Sequence, residues 1–223
     1  MTTDIYIQRG LPDEMRVEAA LLYDAAFGTK FAPAISDQQK RLHLLAESFL
    51  PEFAVVALSE GRLVGLTGFQ TQKGAFTGGI SYARLCKHLG VVLGAWALLV
   101  LLLYQRKAAK HQLLIDEISV APSMRGKGIG TQMLEKLQRD ALFEGYVSIQ
   151  LDVIDTNPAA RRLYERMGFV AKKTERFESL RWLLGFGAST TMEYEVASGV
   201  PSPSSGRLTL SLNSNRRNRG VNR

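Results

Sequence analysis

A run of alternating glycines joins a strand-like segment to a helix-like segment, and no other feature constrains the fold so strongly. The run reads RGKGIGT and covers residues 125–131. Glycine lets a backbone approach a ligand closely, and the free N–H groups at a helix start, with the positive end of the helix dipole, bind phosphate oxygens. The run therefore predicts a pyrophosphate site. The alternative is a flexible glycine turn that carries two solvated cations, Arg125 and Lys127.

The segments around this run predict the α/β (α+β) class, with helices flanking one mixed sheet. DIYIQRG alternates as a strand does, residues 12–27 have helical spacing, and Ser36 is the expected N-cap of a helix that ends near Phe49. The later segments predict a hairpin over residues 53–69, strands at 113–122, 148–154, 169–177 and 190–196, and helices at 128–143 and 157–168. The result is a sheet of about seven strands covered by helices.

Composition and motif spacing exclude several classes of protein. The chain has 46% hydrophobic and 22% charged residues, unlike a disordered, collagenous or disulfide-stapled chain. The glycines follow G-x-G-x-G, and G-x-x-x-x-G-K-[ST] is absent, which argues against two other phosphate motifs. A single cysteine, Cys86, and an N-terminus without a secretory signal predict a cytoplasmic protein. No metal site is expected, because the histidines have no ligand-like spacing: His43, His88 and His111.

The positive charge is confined to two stretches. Residues 61–115 carry seven Lys or Arg and no Asp or Glu, and residues 197–223 carry five and none. The rest of the chain is slightly acidic, so a sequence-specific nucleic-acid binder is not expected. Residues 197–223 are rich in Ser, Asn, Gly and Pro and predict a disordered basic tail behind one domain of residues 1–196.

Two motifs in this order resemble the GNAT superfamily of acetyl-CoA-dependent N-acyltransferases. VAPSMRGKGIGTQMLEKL contains the signature Q/R-x-x-G-x-G/A at Arg125, Gly128 and Gly130. About thirty residues later, NPAARRLYERMGF is similar to the second motif, N-x-x-A-x-x-L/F-Y-x-x-x-G-F. Its matching positions are Asn157, Ala160, Tyr164, Gly168 and Phe169. The resemblance covers residues 4–196 in element order and residues 113–170 in specific motifs.

The resemblance implies acetyl-CoA as co-substrate. The glycine run would hold the coenzyme pyrophosphate, and the strand at 115–121 would pair with the pantetheine arm. That strand and the next, Ser148–Ile154, would splay apart to make the slot for the thioester. The residues implied in coenzyme binding are Ile118, Ser119, Val120, Arg125, Gly126, Lys127, Gly128, Ile129, Gly130, Thr131, Asn157 and Ala160.

The resemblance also implies how protons move. Tyr164 matches the general acid, although a helix residue packing between Ala160 and Gly168 is the alternative. Glu117 is the candidate base, acting through water, and a solvated carboxylate is its alternative. Neighbouring strand residues point to opposite faces, so only one of Asp116 and Glu117 can line a given cleft. Asn157 precedes a proline and is also an ideal helix cap.

An insertion of about 38 residues, 74–111, separates the third and fourth predicted strands, which the family joins by a short loop. Within it, LGVVLGAWALLVLLLY begins at Leu89, ends at Tyr104 and has no charge, so one apolar helix is predicted. Its sixteen residues fall short of a membrane span, which needs about 20. Three interpretations remain: a helix buried against the domain or a second copy, a wall of an apolar acceptor pocket, and an interfacial membrane helix. Basic residues flank it: Arg84, Lys87, His88, Arg106, Lys107 and Lys110.

The expected function is an N-acetyltransferase that moves an acetyl group from acetyl-CoA to a primary amine by direct attack in a ternary complex. A non-catalytic acyl-CoA-binding module is one alternative. Another is a membrane-surface acyltransferase with a lipophilic acceptor. The connection at residues 178–187 could line the acceptor side, with Phe177, Trp182 and Phe186 against an apolar substrate, or form an ordinary hydrophobic plug.

Overall fold

The computed structural model describes residues 4–102, 106–177 and 185–196, except for the side chains of residues 29, 30 and 117. These residues form eight strands and six α-helices. The strands are β1 Ile5–Arg9, β2 Ala54–Ser59, β3 Arg62–Thr71, β4 Gly74–Ala75, β5 Gln112–Val120, β6 Ser148–Ile154, β7 Val170–Arg176 and β8 Ala188–Glu195. The helices are α1 Arg16–Phe31, α2 Gln38–Ser48, α3 Tyr82–Leu89, α4 Val91–Leu102, α5 Ile129–Phe143 and α6 Pro158–Arg166.

All the strands join one mixed, mostly antiparallel sheet, as predicted. Its order is β1-β2-β3-β5-β6-β8-β7, and β4 pairs with β3 beside that path. Only β5 and β6 pair in parallel among the described strands. The prediction of about seven strands omits β4, because two residues are too few to show a periodicity.

Helices cover both faces of the sheet. On β5, the Ser119 hydroxyl donates to the Leu22 carbonyl of α1 at 3.1 Å. Its neighbour Val120 is opposite Gly65 of β3, where an added Cβ would lie 3.0 Å from Ile129 of α5. Adjacent strand residues face opposite sides, so α1 and α5 lie on opposite faces. The main core, between these helices and the sheet, includes Ala19, Phe49, Val56, Leu66, Phe69, Met133, Leu137, Ile149 and Met192.

A buried ion pair joins α1 to α2. Arg41 donates from Nε and Nη2 to the two carboxylate oxygens of Asp24, at 2.5 and 3.1 Å, and both side chains are almost fully buried. Burial opposes ionisation of Asp24, but hydrogen bonds from Arg41 and Gln38 and the charge of Arg41 outweigh it, so the pKa of Asp24 is lowered. The two helices are therefore held by a charge pair as well as by apolar contacts.

The N-cap of α2 is Asp37, and the prediction of Ser36 is wrong by one residue. The Asp37 carboxylate accepts the N–H of Lys40 at 3.1 Å, which is the bond that defines the cap. Both residue types cap helices well, so the sequence did not separate them. In the structure the first helical residue is Gln38, so the cap is the residue before it, Asp37.

The insertion contains two helices, so the single helix predicted from Leu89 to Tyr104 is wrong. Leu89 ends α3, and α4 begins at Val91. Gly90 between them has φ of +82°, a conformation that breaks a helix and that glycine adopts without strain. Tyr104 lies outside the described residues. The chain therefore turns back, and α3 and α4 form a short helical hairpin.

The hairpin packs on the α1–α2 connection through a satellite core. Its buried members are Ala34, Ile35, Leu44, Leu85, Ala97 and Val100. Lys87 and His88 of α3 also contact the Glu47 carboxylate of α2, at 2.9 and 3.1 Å. The apolar helix α4 is buried against the domain on one side and exposed on the other. No helix in the described parts of the chain has both the length and the apolar character that crossing a membrane requires.

Candidate active site

A slot opens where β5 and β6 part. The two strands pair at Gln112–Ser148, Leu113–Ile149 and Leu114–Gln150. Beyond those residues β5 continues to Val120 and β6 to Ile154 without further pairing to each other in the described chain. The predicted splay of these strands is therefore confirmed, and its apex lies just after Leu114.

A β-bulge sits at this apex. The register between β3 and β5 steps from Phe69–Ile115 to Gly68–Glu117, which makes Asp116 the extra residue. A bulge bends its strand and increases the local twist. The bulge therefore turns the second half of β5 away from β6, while that half stays paired with β3. Strict alternation at Asp116 and Glu117 was the basis for expecting one carboxylate in the cleft, and the bulge interrupts that alternation.

Backbone groups of β5 line the slot. The N–H of Ala121 donates to the Val64 carbonyl at 2.9 Å, so this residue is bonded to the β3 side. Along an antiparallel strand, residues alternate between bonding to one neighbour and facing the other. The N–H and C=O groups of Ile118 and Val120 therefore face the slot. Ser119 lies between them, and its backbone N–H and C=O groups point toward β3. It is therefore less well placed than Ile118 and Val120 to bind a ligand in the slot.

The glycine run forms an open helix start at the end of β5. Gly126 and Gly128 both have φ of +77°, and nothing lies within 4 Å of where their Cβ atoms would be. Gly128 is the N-cap of α5 and supplies no side-chain cap. The leading N–H groups of the helix, from Gly128 to Thr131, therefore have no acceptor within the helix. Arg125 Nε donates to the Val120 carbonyl at 3.1 Å and ties the run to the end of the strand.

The second motif begins α6 beside the start of α5. The Asn157 side chain accepts the Ala160 N–H at 3.1 Å, so its predicted capping role is confirmed. A Cβ on Gly130 would lie 3.2 Å from Leu163, which shows how closely the two helices approach. Tyr164 is 8% exposed in the main core, with its ring 6.0 Å from that of Phe169. The two motifs, separate in sequence, are therefore adjacent in space.

Two other predicted features are described only in part. Glu117 lies in β5 opposite Gly68, and its side chain is outside the described set. Phe177 and Phe186 contact each other edge to face, with ring centroids 5.9 Å apart. Trp182 falls outside the described residues.

The sequence analysis missed a polar network beside the slot, on the sheet face opposite α5. Leu151 and Val153 of β6 face the main core, and Asp152 between them faces the opposite side. Its carboxylate forms an ion pair with Arg106 and accepts the Thr191 hydroxyl at 2.7 Å. Asp152 is the second residue after the last β5–β6 pair, so the network lies at the opening. An acid alternating with apolar residues in a buried strand was the available signal.

The insertion supplies the cation of this network. Arg106 follows the helical hairpin, and its carbonyl accepts the Gln70 side chain of β3 at 2.7 Å. Its guanidinium reaches Asp152 of β6. Because β3 and β6 lie on either side of β5, the segment that carries Arg106 crosses the sheet at the apex of the slot. No cluster of His, Cys, Asp or Glu in the described residues has the arrangement of a metal site.

Residues 20–169 match the family model described as the acetyltransferase (GNAT) family. This match spans the slot, the glycine run and α6. The chain belongs to the GNAT family of acetyltransferases. The resemblance inferred from the two motifs is therefore confirmed, and with it the GNAT type of sheet.

Individual relatives match over shorter stretches. Thialysine N-epsilon-acetyltransferase of Mus musculus is 39% identical over 54 residues, which are 24% of this chain and 32% of that protein. Streptothricin acetyltransferase of Streptomyces lavendulae is 32% identical over 96 residues, 43% of this chain and 48% of that protein. The chain thus spans a third to a half of the length of these curated relatives.

A solved structure supports the same fold. An acetyltransferase from Salmonella typhimurium, determined with its cofactor acetyl-CoA, superposes with a TM-score of 0.53 at 16% identity. The match covers 89% of this chain and 98% of the Salmonella chain. At this identity the likeness concerns the fold.

Proposed function

We propose that this protein is an N-acetyltransferase that moves an acetyl group from acetyl-CoA to a primary amine in a ternary complex. The observation that carries the proposal is the slot between β5 and β6, which leads from backbone groups at Ile118 and Val120 directly to the uncapped start of α5. A pantetheine arm needs amide partners and a pyrophosphate needs N–H donors, and both are present along one path. One relative's name also denotes transfer to a nitrogen.

The open glycine run suits the pyrophosphate. The leading N–H groups of α5 and the positive end of its dipole would bind the phosphate oxygens, with Arg125 and Lys127 exposed beside them. The space around Gly126 and Gly128 leaves room for the ligand to reach the backbone. Ile129, Gly130 and Thr131 would contribute through their N–H groups. Asn157 and Ala160 are proposed to contact the coenzyme from the start of α6.

The proposed reaction is direct acyl transfer. The bound thioester supplies the electrophilic carbonyl carbon, to which the amine nitrogen forms a bond while the bond to sulfur breaks. Glu117, through water, would accept the proton lost by the nitrogen, and the Tyr164 hydroxyl would donate a proton to the departing sulfur. The slot-facing N–H groups of Ile118 and Val120 would donate to the carbonyl oxygen as negative charge develops there, which is often the largest catalytic contribution.

The acceptor would approach from the face that carries Asp152 and Arg106. This face is opposite α5, so an amine could reach the thioester without crossing the coenzyme path. Phe177 and Phe186 lie on the connection that we propose to border the acceptor, and their edge-to-face contact offers an apolar wall.

A thiol-release assay tests the proposal. Acetyl-CoA and longer acyl-CoAs are offered with a panel of small amines, amino acids, peptide N-termini and lysine peptides, and free thiol is measured with and without each acceptor. Amine-dependent release is the expected result. Coenzyme binding by calorimetry without release for any acceptor would favour the alternative, a non-catalytic acyl-CoA-binding module.

A further inference from the structure

The outer face of α4 is apolar and open to solvent. Val92, Trp96 and Leu99 are 81%, 51% and 57% exposed. Leu102 is half exposed and lies on the same face, because spacings of three and four residues place side chains on one side of a helix. Val91, at the first turn, is also exposed. A contiguous exposed surface of large apolar side chains marks an interaction site.

The opposite face holds α4 to the domain. Gly94, Ala97 and Val100 are buried, and the last two belong to the satellite core. Trp96 Nε1 donates to the Pro33 carbonyl at 3.1 Å, which fixes the indole in its half-exposed position. The apolar surface is therefore presented by an anchored helix. The domain behind it takes the place of the polar face in a membrane-surface helix.

Basic residues lie on both sides of α4 in the chain, although Lys87 and His88 on the earlier side contact the Glu47 carboxylate and leave Arg84 as the cation there without an acidic partner among the described residues. Residues 61–115 contain seven Lys or Arg and no acid. Lys107 and Lys110 are exposed after α4, and neither has an ion-pair partner among the described residues. Asp37 and Lys40 both border a cavity of about 160 Å³ beside Trp96, so the negative charge of the carboxylate there is matched by a positive one. The surroundings of the apolar face therefore favour an anionic partner.

Charge distinguishes the two occupants that such a face could have. Two copies of this chain that met through α4 would bring their basic flanks together, and like charges oppose that association. An anionic lipid surface is complementary, since each nearby Lys or Arg strengthens binding to it. We propose that α4 docks the protein on an anionic membrane surface, with Val92, Trp96 and Leu99 at the boundary between headgroups and acyl chains.

The docking surface is separate from the proposed chemistry. None of its exposed apolar residues belongs to the glycine run, the slot or α6. Acetyl transfer measured without lipid should therefore be unchanged when the surface is altered. Failure of either proposal would leave the other standing, because one is read from vesicle binding and the other from thiol release.

Vesicle co-sedimentation of the full chain tests the proposal. The vesicles are phosphatidylcholine alone or with roughly 30% phosphatidylglycerol, a content that gives the surface a negative potential. Binding should require the anionic lipid and fall roughly tenfold or more in a Val92→Gln/Leu99→Gln variant. The matched control is Val17→Gln/Leu21→Gln on α1, where the two side chains are 65% and 51% exposed, and it should bind as the unaltered chain does.

Fluorescence reports the contact directly. The chain has two tryptophans, Trp96 and Trp182, so Trp182→Phe leaves Trp96 as the one indole. Its emission should shift to the blue on addition of anionic vesicles and be quenched by brominated acyl chains. Unchanged emission during vesicle binding would overturn the proposal, because another surface would then make the contact.

Three further outcomes would also overturn it. The first is no binding to anionic vesicles. The second is binding that survives Val92→Gln/Leu99→Gln but disappears when residues 198–223 are deleted, which would assign the contact to the tail. The third is a concentration-dependent dimer in sedimentation velocity that the same double variant abolishes without any vesicle binding, which would assign the face to a second copy.

Discussion

Gly128 combines two properties, and a substitution there would affect both. Its φ of +77° favours glycine, and its open surroundings leave the backbone reachable. Gly128→Leu should therefore weaken acetyl-CoA binding at least about tenfold, and the left-handed backbone should cost about 1–2 kcal/mol of stability. Calorimetric titration with acetyl-CoA and thermal unfolding measure the two effects.

Gly145 provides the matched control. It follows the other end of α5, has φ of +75° and also has nothing within 4 Å of an added Cβ. Gly145→Leu should lose similar stability and keep its coenzyme affinity. Equal affinities for the two variants would contradict the pyrophosphate assignment.

Tyr164 and Tyr194 pack against the same ring. Their centroids lie 6.0 and 5.6 Å from that of Phe169, so loss of either hydroxyl leaves similar packing. Tyr164→Phe should lower kcat by about 100-fold or more with little change in coenzyme affinity, because general acid catalysis contributes that much. Tyr194→Phe should keep kcat. If both variants turn over normally, another group protonates the thiolate.

Residue-level prediction from the sequence succeeded where the signal was local. The cap at Asn157 and the helix start at Gly128 depend on neighbours within one turn, and the structure has both. The bulge at Asp116 depends on the register with β3, and the ion pair of Arg106 with Asp152 joins residues 46 apart. Contacts of that range leave no periodic trace in the chain.

The junction of α1 and α2 depends on a charge pair inside the protein. Arg41→Met should lower the free energy of unfolding at pH 7 by about 3–5 kcal/mol, because it leaves the Asp24 carboxylate buried without its cation. Arg161→Met on α6 removes a half-exposed ion pair with Glu165 and should cost at most about 0.5 kcal/mol. Urea unfolding compares them, and equal losses would contradict this account.

The same junction predicts a pH dependence. The pKa of Asp24 is lowered from its ordinary value of 3.8, so its carboxylate stabilises the fold above that value and loses this effect as the pH falls through the folded-state pKa. The stability difference between the unaltered chain and Asp24→Asn should therefore be larger at pH 7 than at pH 3. Chemical unfolding at both pH values measures it, and a constant difference would count against the shift.

Most elements were predictable because strand and helix periods differ, and the insertion shows the limit. Its apolar residues recur on every side, which hides both the turn at Gly90 and the face that remains in contact with solvent. The packing of Leu85, Ala97 and Val100 against α2 and the α1–α2 connection determines which side is buried. For the same reason the sequence left three interpretations of this segment open.

The basic tail, residues 197–223, lies outside the described residues and carries five basic and no acidic side chains. Deletion of residues 198–223 should leave kcat for small amines and the midpoint of thermal unfolding unchanged, because the predicted core ends before them. Steady-state kinetics and calorimetry test this, and a lower kcat would give the tail a part in turnover.

The limited pairing of β5 with β6 leaves a seam through the middle of the molecule. The strands from β1 to β5 form one half-sheet and those from β6 to β8 form another, and three residue pairs join them along the seam. Arg106 spans this seam, because its carbonyl accepts the Gln70 side chain of β3 and its guanidinium pairs with Asp152 of β6. A coenzyme lying in the gap would complete the missing pairing, so acetyl-CoA should slow amide hydrogen exchange at Ile118 and Val120 and raise the unfolding temperature. In this fold acetyl-CoA would stabilise the sheet as well as take part in the reaction.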